Sequence, residues 1–314
     1  MPAAAPIPEG FLAGPFHRRE FVAAGMSPKL LLGRRFRRVF PSVWSPARDL
    51  THAEWIRAAA LSLTDRAWLS HLTRLQALGL DEPPYRPLHF TVQGDLHIDT
   101  DGIFLHRTVD LPPLDDVGVT PAAAFIQCCA AGRLIDLVKI GDWLLHHEHV
   151  SVIEVHELVA AQPWRPGAEE ALTVLPMLDG RARSPKESEL RCLVVACGLP
   201  QPEVNVPIVD DTGRQIAIVD LLLPEWLFVL EYEGRQHAED ARQFAIDIDR
   251  YAELRRVDAA YMQFTARHLA SPRAAMTQLH RRLVARGYSG PPPEFGAAWH
   301  ALFAPVEVPR GAVR

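Results

Sequence analysis

The stretch 216–250, IAIVDLLLPEWLFVLEYEGRQHAEDARQFAIDIDR, limits the folds open to this chain more than any other. It opens on an apolar run that ends at Asp220 and turns at Pro224 and Glu225. A second apolar run, 226–230, then delivers Glu231 and Glu233. Runs of this length, rich in Val, Ile and Leu and bounded by turn residues, read as buried strands. Strand side chains alternate between faces, so Glu231 and Glu233 share one face and Tyr232 takes the other. Paired as a hairpin, the two runs bring Asp220 close to Glu231. Carboxylates at the ends of core strands are costly to bury unless they hold a cation. An oxygen-only donor set suits Mg²⁺ or Mn²⁺.

At 314 residues the chain has room for two or three domains, each with a core. The fold class expected is an α/β multi-domain protein. Hydrophobic content of 48% with 23% charged residues is that of an ordinary soluble protein. A net charge of −5 argues against wholesale coating of nucleic acid and leaves room for a local basic patch. No apolar run reaches the length of a membrane helix, so no membrane partner is expected. The start, MPAAAPIPEG, lacks a basic segment followed by an apolar one, so no signal peptide is expected. Cys128, Cys129, Cys192 and Cys197 show no zinc-type spacing, and a reduced cytoplasm fits them.

Residues 1–14 are rich in Ala, Pro and Gly and read as disordered. A short helix stopped by Gly25 follows. Ser27 and Pro28 then form an N-cap and N1 pair for a second helix, 28–32, and 36–44 reads as a strand. Helix, turn, helix and strand are the order of a winged-helix-like unit over 15–50. Lys29, Arg34, Arg35, Arg37 and Arg38 cluster there, where they would meet the phosphates of DNA. The plainer alternative is a solvated basic turn.

A mixed α/β middle region, 51–180, starts with helices expected at 53–63 and 66–78 and strands at 88–92 and 103–107. Helices at 121–131, 133–147, 152–161 and 167–178 follow. His71 reads as a hydrogen-bonded core histidine. HIDTDG (97–102) lacks the spacing and terminal glutamate of a calcium loop, and HHEH (146–149) reads as a solvated helix end. Beyond 180 the expected order is helix 185–197, strand 204–209, the two strands of the acidic stretch, helix 239–256, strand 259–264 and helix 272–286. A loosely docked tail, 291–314, closes the chain.

The region from Ser184 to Arg286 resembles the PD-(D/E)xK nuclease superfamily, and within it the bacterial domains related to the very-short-patch-repair endonuclease. The residues that carry the likeness are Ser184, Glu187, Ser188 and Arg191 on one helix, Asp220, then Glu231, Tyr232, Glu233, Gly234 and His237, and last Asp247, Arg250 and Leu254. Glu233 stands where the superfamily has a lysine. The resemblance implies, for 181–290, a restriction-endonuclease-like domain with a mixed central sheet flanked by helices. It also implies roles. Asp220 and Glu231 would hold Mg²⁺ or Mn²⁺, with Glu187 reaching a second cation or a metal-bound water. Glu233 would act as general base. His237 would serve the leaving oxygen or the phosphate, and Arg191 and Arg250 would contact the scissile backbone. The plainer reading makes Glu187, Glu189 and Arg191 a surface helix with local ion pairs, and Asp247 with Arg250 an i,i+3 pair.

The first half resembles AbiEi-type abortive-infection antitoxins, which act as DNA-binding repressors. The likeness rests on 21–25, 37–44, Leu69-Ser70-His71 and Leu78-Gly79-Leu80, with Thr73-Arg74-Leu75 standing where the family has Ser-Ala-Ala. Two functions are therefore expected as alternatives. One is a divalent-metal-dependent DNA endonuclease whose first half binds DNA. The other is a non-catalytic antitoxin-like regulator whose nuclease-type domain only binds DNA or a partner, such as a cognate toxin or a second copy of the chain.

Overall fold

An aromatic cluster organises the start of the chain. The computed structural model describes residues 6–95, 98–233 and 256–307, together with Leu254. They fall into two compact units, Met1–Gln127 and Cys128–Arg314, and the division lies inside the stretch expected as one middle region. In the first unit, helix α1 (Gly10–Ala13), strand β1 (Phe16–His17) and helix α2 (Arg18–Ala23) precede a 3-10 turn, Pro28–Leu32. The hairpin of β2 (Phe36–Phe40) and β3 (Val43–Pro46) follows. Ser27 accepts the Lys29 N–H and Pro28 opens the turn, as their order in the sequence implies. Strand β3 lies between β1 and β2. Phe11 meets Phe16 and Phe21 edge-on, with centroids 4.9 and 5.0 Å away. Phe16, Phe21 and Phe36 are buried. Residues 10–13 are thus ordered, contrary to expectation, because docking the Phe11 ring offsets the entropy of fixing one helical turn. The stretch 36–44 is likewise a hairpin instead of one strand, since Pro41 and Ser42 (φ 58°) turn the chain.

Helix α3 (His52–Ser62) begins with a capping box in which Thr51 Oγ1 serves the Glu54 N–H and the Glu54 carboxylate serves the Thr51 N–H. Arg48 donates to both Glu54 oxygens, at 2.5 and 3.0 Å, and to Ala13 O at 2.8 Å, which ties α3 to the end of α1. The Arg48 guanidinium, and next the Thr51 N–H, hold the Glu54 carboxyl down at about 2. The helix expected over 66–78 is split. Strand β4 (Ala67–Leu69) pairs antiparallel with β5 (Leu88–Gln93), and helix α4 (His71–Gln76) starts at His71 with φ 50°. Cross-strand pairing overrides the local helical pattern there. Strand β6 (Ile103–Thr108) lies parallel to β5. The inner face of this sheet packs Leu69, Leu88 and Phe90 against Phe40, Ile56 and Ala59. Helix α5 (Pro121–Cys129) contains the division, which falls between Gln127 and Cys128.

The second unit is mixed α/β. Helices α6 (Leu134–His146), α7 (Val152–Ala161), α8 (Ala168–Val174) and α9 (Pro185–Ala196) lead into β7 (Glu203–Val209), β8 (Gln215–Leu223), β9 (Phe228–Tyr232) and β10 (Ala260–Phe264). These strands form one sheet in the order β10-β9-β8-β7. Strand β8 is antiparallel to both neighbours and β10 is parallel to β9, so the expected mixed sheet is present. Helices α10 (Ala266–Ala270) and α11 (Pro272–Ala285) follow. The helix expected over 239–256 lies outside the described residues, apart from helical Leu254 and Arg256. The tail departs from expectation within 291–307, because α12 (Ala297–Leu302) buries Trp299 and Leu302. No helix among the described residues is long and apolar enough to cross a membrane.

Thr51→Ala removes the α3 cap and should cost about 1 kcal/mol, read as a lower denaturation midpoint. The Glu54 carboxyl lies below its ordinary 4.5 in the folded chain. Its contribution is therefore complete above that pH and is lost as pH falls toward 2. A Glu54→Gln variant should show a flatter acid limb in a melting-temperature profile than the wild-type chain.

Candidate functional site

The ladder between β8 and β9 pairs Leu221 with Leu230, Leu222 with Val229 and Leu223 with Phe228. One step further along this register, Asp220 stands across from Glu231, and directly opposed residues share a face. The ladder ends at this point. The Tyr232 N–H, which would otherwise seek a carbonyl, donates to Asp220 Oδ2 at 2.9 Å, while the Glu233 N–H turns to Phe264 O on β10 at 2.7 Å. Glu231 is 4% exposed, Asp220 is half-buried and Glu233 is exposed.

The same row extends to both edges of the sheet. On β10, Gln263 is the register partner of Glu231. On β7, the pairs Val204 with Leu221 and Val206 with Val219 set Asn205 across from Asp220. Asn205 has φ 49°, a left-handed conformation that asparagine tolerates better than most residues. Its amide donates to Glu187 Oε2 at 2.6 Å and to Arg181 O at 2.8 Å. A polar line thus crosses an apolar sheet as Asn205, Asp220, Glu231 and Gln263. Neither Asn205 nor Gln263 carries a local motif that could have marked it.

Glu187 is drawn into a different set of bonds from those expected. It is 6% exposed on the first turn of α9, and its carboxylate accepts from Ser184 Oγ, the Arg183 N–H and Asn205 Nδ2. Three donors tie it to its own cap and to β7. Among the described residues no three His, Cys, Asp or Glu side chains form a group able to hold a metal ion. The expected set of Asp220, Glu231 and Glu187 is therefore not assembled, and Asp220 with Glu231 is what the sheet brings together.

Arg191 must also be corrected as a phosphate contact. It is 7% exposed, and its Nη2 donates to Asp142 Oδ2 on α6 at 2.7 Å and to Met177 O at 2.9 Å. Asp142 has no exposed surface and also accepts the Asp179 N–H at 2.6 Å. Burial lifts the Asp142 carboxyl above the usual range, and Arg191 opposes that rise. A guanidinium held so deeply between helices does not reach a nucleic-acid backbone. His237, Asp247 and Arg250 lie outside the described residues.

In the first unit Lys29 is exposed on the 3-10 turn, Arg34 and Arg35 in the turn that follows it, and Arg38 on β2. Arg37 is half-buried, with its guanidinium 5.9 Å from the centre of the Trp55 ring. Arg74 is buried and pairs with Asp115 at 2.6 Å. His71 is a partly buried, hydrogen-bonded residue, as its sequence context suggests, but it belongs to a trio that sequence reasoning missed. Its ring stacks on His106 at 3.5 Å, and His106 Nε2 lies 2.8 Å from His89 Nδ1. Register could have flagged the trio, since His89 and His106 lie on one face of a parallel pair. Burial, followed by His106 and His89, lowers His71 to about 2. Burial, followed by His89, lowers His106 to about 4, and burial moves His89 in the same direction. HHEH (146–149) caps the end of α6, with His147 Nδ1 3.0 Å from Trp143 O.

Two outcomes follow from these buried polar groups. Asp142→Ala leaves the Arg191 charge unpaired in the interior and should destabilise the chain by about 3–5 kcal/mol in a denaturant titration. The histidine trio is held neutral below the ordinary 6.5. Its contribution is therefore complete above pH 6.5 and is lost as pH falls, toward 4 for His106 and toward 2 for His71, because the unfolded chain takes up protons first. His71→Asn, which tolerates the positive φ, should flatten the melting-temperature profile across that window.

No family model matches the chain. Two uncharacterized proteins of Mycobacterium tuberculosis, MT2308 of strain CDC 1551 and Rv2248 of strain H37Rv, are each 36% identical to it over 101 residues. The matched stretch is 32% of this chain, and it spans only 37% of the length of these curated relatives.

Proposed function

We propose that the chain is a divalent-metal-dependent DNA endonuclease. The observation that carries this reading is the placement of Asp220 across from Glu231 where the β8–β9 ladder ends. Two carboxylates on neighbouring strands are a donor set that fits Mg²⁺, which is commonly held by one or two carboxylates together with waters and substrate phosphate oxygens. A cation bound there would lower the pKa of a coordinated water and offset charge building on the phosphate. The Tyr232 N–H fixes the Asp220 carboxylate at the strand end. Exposed Glu233, just past the strand end, is positioned to take a proton from an attacking water. The order of helix, three antiparallel strands and a parallel fourth strand agrees with the restriction-endonuclease-like likeness read from the sequence.

The first unit supplies the DNA-holding part of this reading. Its helix, strand, helix, 3-10 turn and hairpin follow the order of a winged helix, with the exposed Lys29, Arg34, Arg35 and Arg38 running from the 3-10 turn into the first strand of the hairpin. The competing reading is an antitoxin-like regulator without turnover. It draws on the tie of Glu187 to Asn205 and Ser184, which leaves two acids in place of three at the row.

Plasmid nicking in Mg²⁺ or Mn²⁺ separates the two. Asp220→Asn and Glu231→Gln should each lower the rate by about 10²-fold or more while leaving DNA affinity unchanged. Reversing Lys29, Arg35 and Arg38 to Glu should weaken binding and reduce the slope of log affinity against log salt by about 0.9 per lost phosphate contact. Salt-dependent binding without nicking in either metal establishes the regulator and rejects the endonuclease.

A further inference from the structure

In the second unit a strap borders an open pocket beside α6 and α9. The Glu294 N–H donates to Cys197 O, the Leu134 N–H donates to Ala304 O, and Arg133 bridges Pro305. Helix α12 is thereby held at both ends against α6 and α9. Trp299 and Leu302 anchor it. The residues between the helices are small: Ala196 on α9, and Ala298 and Ala301 on α12. They leave a cavity of about 480 Å³, with Leu134, Leu178 and Val195 among its other walls. Sites for small molecules are commonly apolar cavities of this size with a few convergent polar groups.

Arg191 supplies a buried guanidinium, and Asp179 and Gln201 are further polar residues of the lining. Arg191 is 7% exposed. A guanidinium offers five N–H donors. Nη2 serves Asp142 and Met177 O, Nε has no partner, and no described residue accepts from Nη1. A donor left unmet in the interior is costly. An apolar molecule ending in an oxygen acceptor would cover the alanine-lined walls and take up those donors. We propose that this cavity binds a small, largely apolar molecule carrying one acceptor oxygen, a carbonyl or a carboxylate, which takes the unused N–H donors of Arg191. The proposal does not depend on the nuclease reading.

The test uses the full chain and three probes with matched alkyl chains: nonan-2-one, nonanoate and nonylamine. Binding is read by calorimetry and by the shift in melting temperature. The ketone or the carboxylate should bind saturably and raise the melting temperature. Nonylamine, whose ammonium offers no acceptor to Arg191 and meets an Asp179 already paired with Arg181, should bind at least about tenfold more weakly. Tighter binding by the ketone indicates a neutral natural ligand, and tighter binding by nonanoate an anionic one. Ala301→Phe should fill the space and abolish binding without lowering the melting temperature of the free chain. Ala298→Leu serves the same purpose if the larger residue prevents folding. No saturable binding by any probe, equal binding of nonylamine, or binding that survives both filled variants overturns the proposal.

Discussion

The pairing of Leu221 with Leu230 sets the face on which Asp220 and Glu231 stand. Side chains in a strand alternate with a period of two, so a slip of one residue would send one of these acids to the other side of the sheet. The next apolar pairs along the ladder, Leu222 with Val229 and Leu223 with Phe228, resist such a slip because all four are buried. The Tyr232 N–H then locks the end of the ladder onto the Asp220 side chain. The hydrophobic pattern that builds the sheet therefore also aims the carboxylates, and Gln263 and Asn205 fall into line with them for the same reason.

Charge is used in two ways in this chain. In the second unit Arg191 and Asp142 are buried together, and Glu187 is occupied by its own helix cap and by Asn205. Groups held so firmly position helices α6 and α9 and are withdrawn from contact with a polyanion. In the first unit Lys29, Arg34, Arg35 and Arg38 stay in solvent on short elements, where little packing constrains them. Exposed cations of this kind contribute little to stability and remain able to meet phosphates.

Much of the secondary structure was legible because its signals are local. Ser184, followed by Pro185 and by Glu187 three residues on, announces the start of α9, and Thr51 with Glu54 does the same for α3. The acidic stretch read as paired strands because its apolar runs are bounded by turn residues, and the pairing is observed. The failures share a cause. Ala67–Leu69 has a helix-compatible pattern but is claimed by β5, and Gly10–Ala13 looks unstructured until Phe11 finds Phe16 and Phe21. The stretch after Gly290 looks loose until Trp299 and Leu302 are covered. In each case a tertiary contact outweighs the preference of the segment alone.

The sequence by itself determined the mixed α/β class, the strand pair bearing Asp220 and Glu231, and the caps that start the main helices. Alternation, periodicity and capping are properties of neighbouring residues. Only the tertiary structure decided which ionisable groups are spent. Whether Arg191 meets a phosphate or Asp142 depends on α6, whose Asp142 lies 49 positions earlier in the chain. Whether Glu187 joins Asp220 or is held by Asn205 depends on a β7 register that no local pattern specifies. A buried charge must take the partner that folding places beside it, because leaving it unpaired in a low-dielectric interior costs more than most single contacts return.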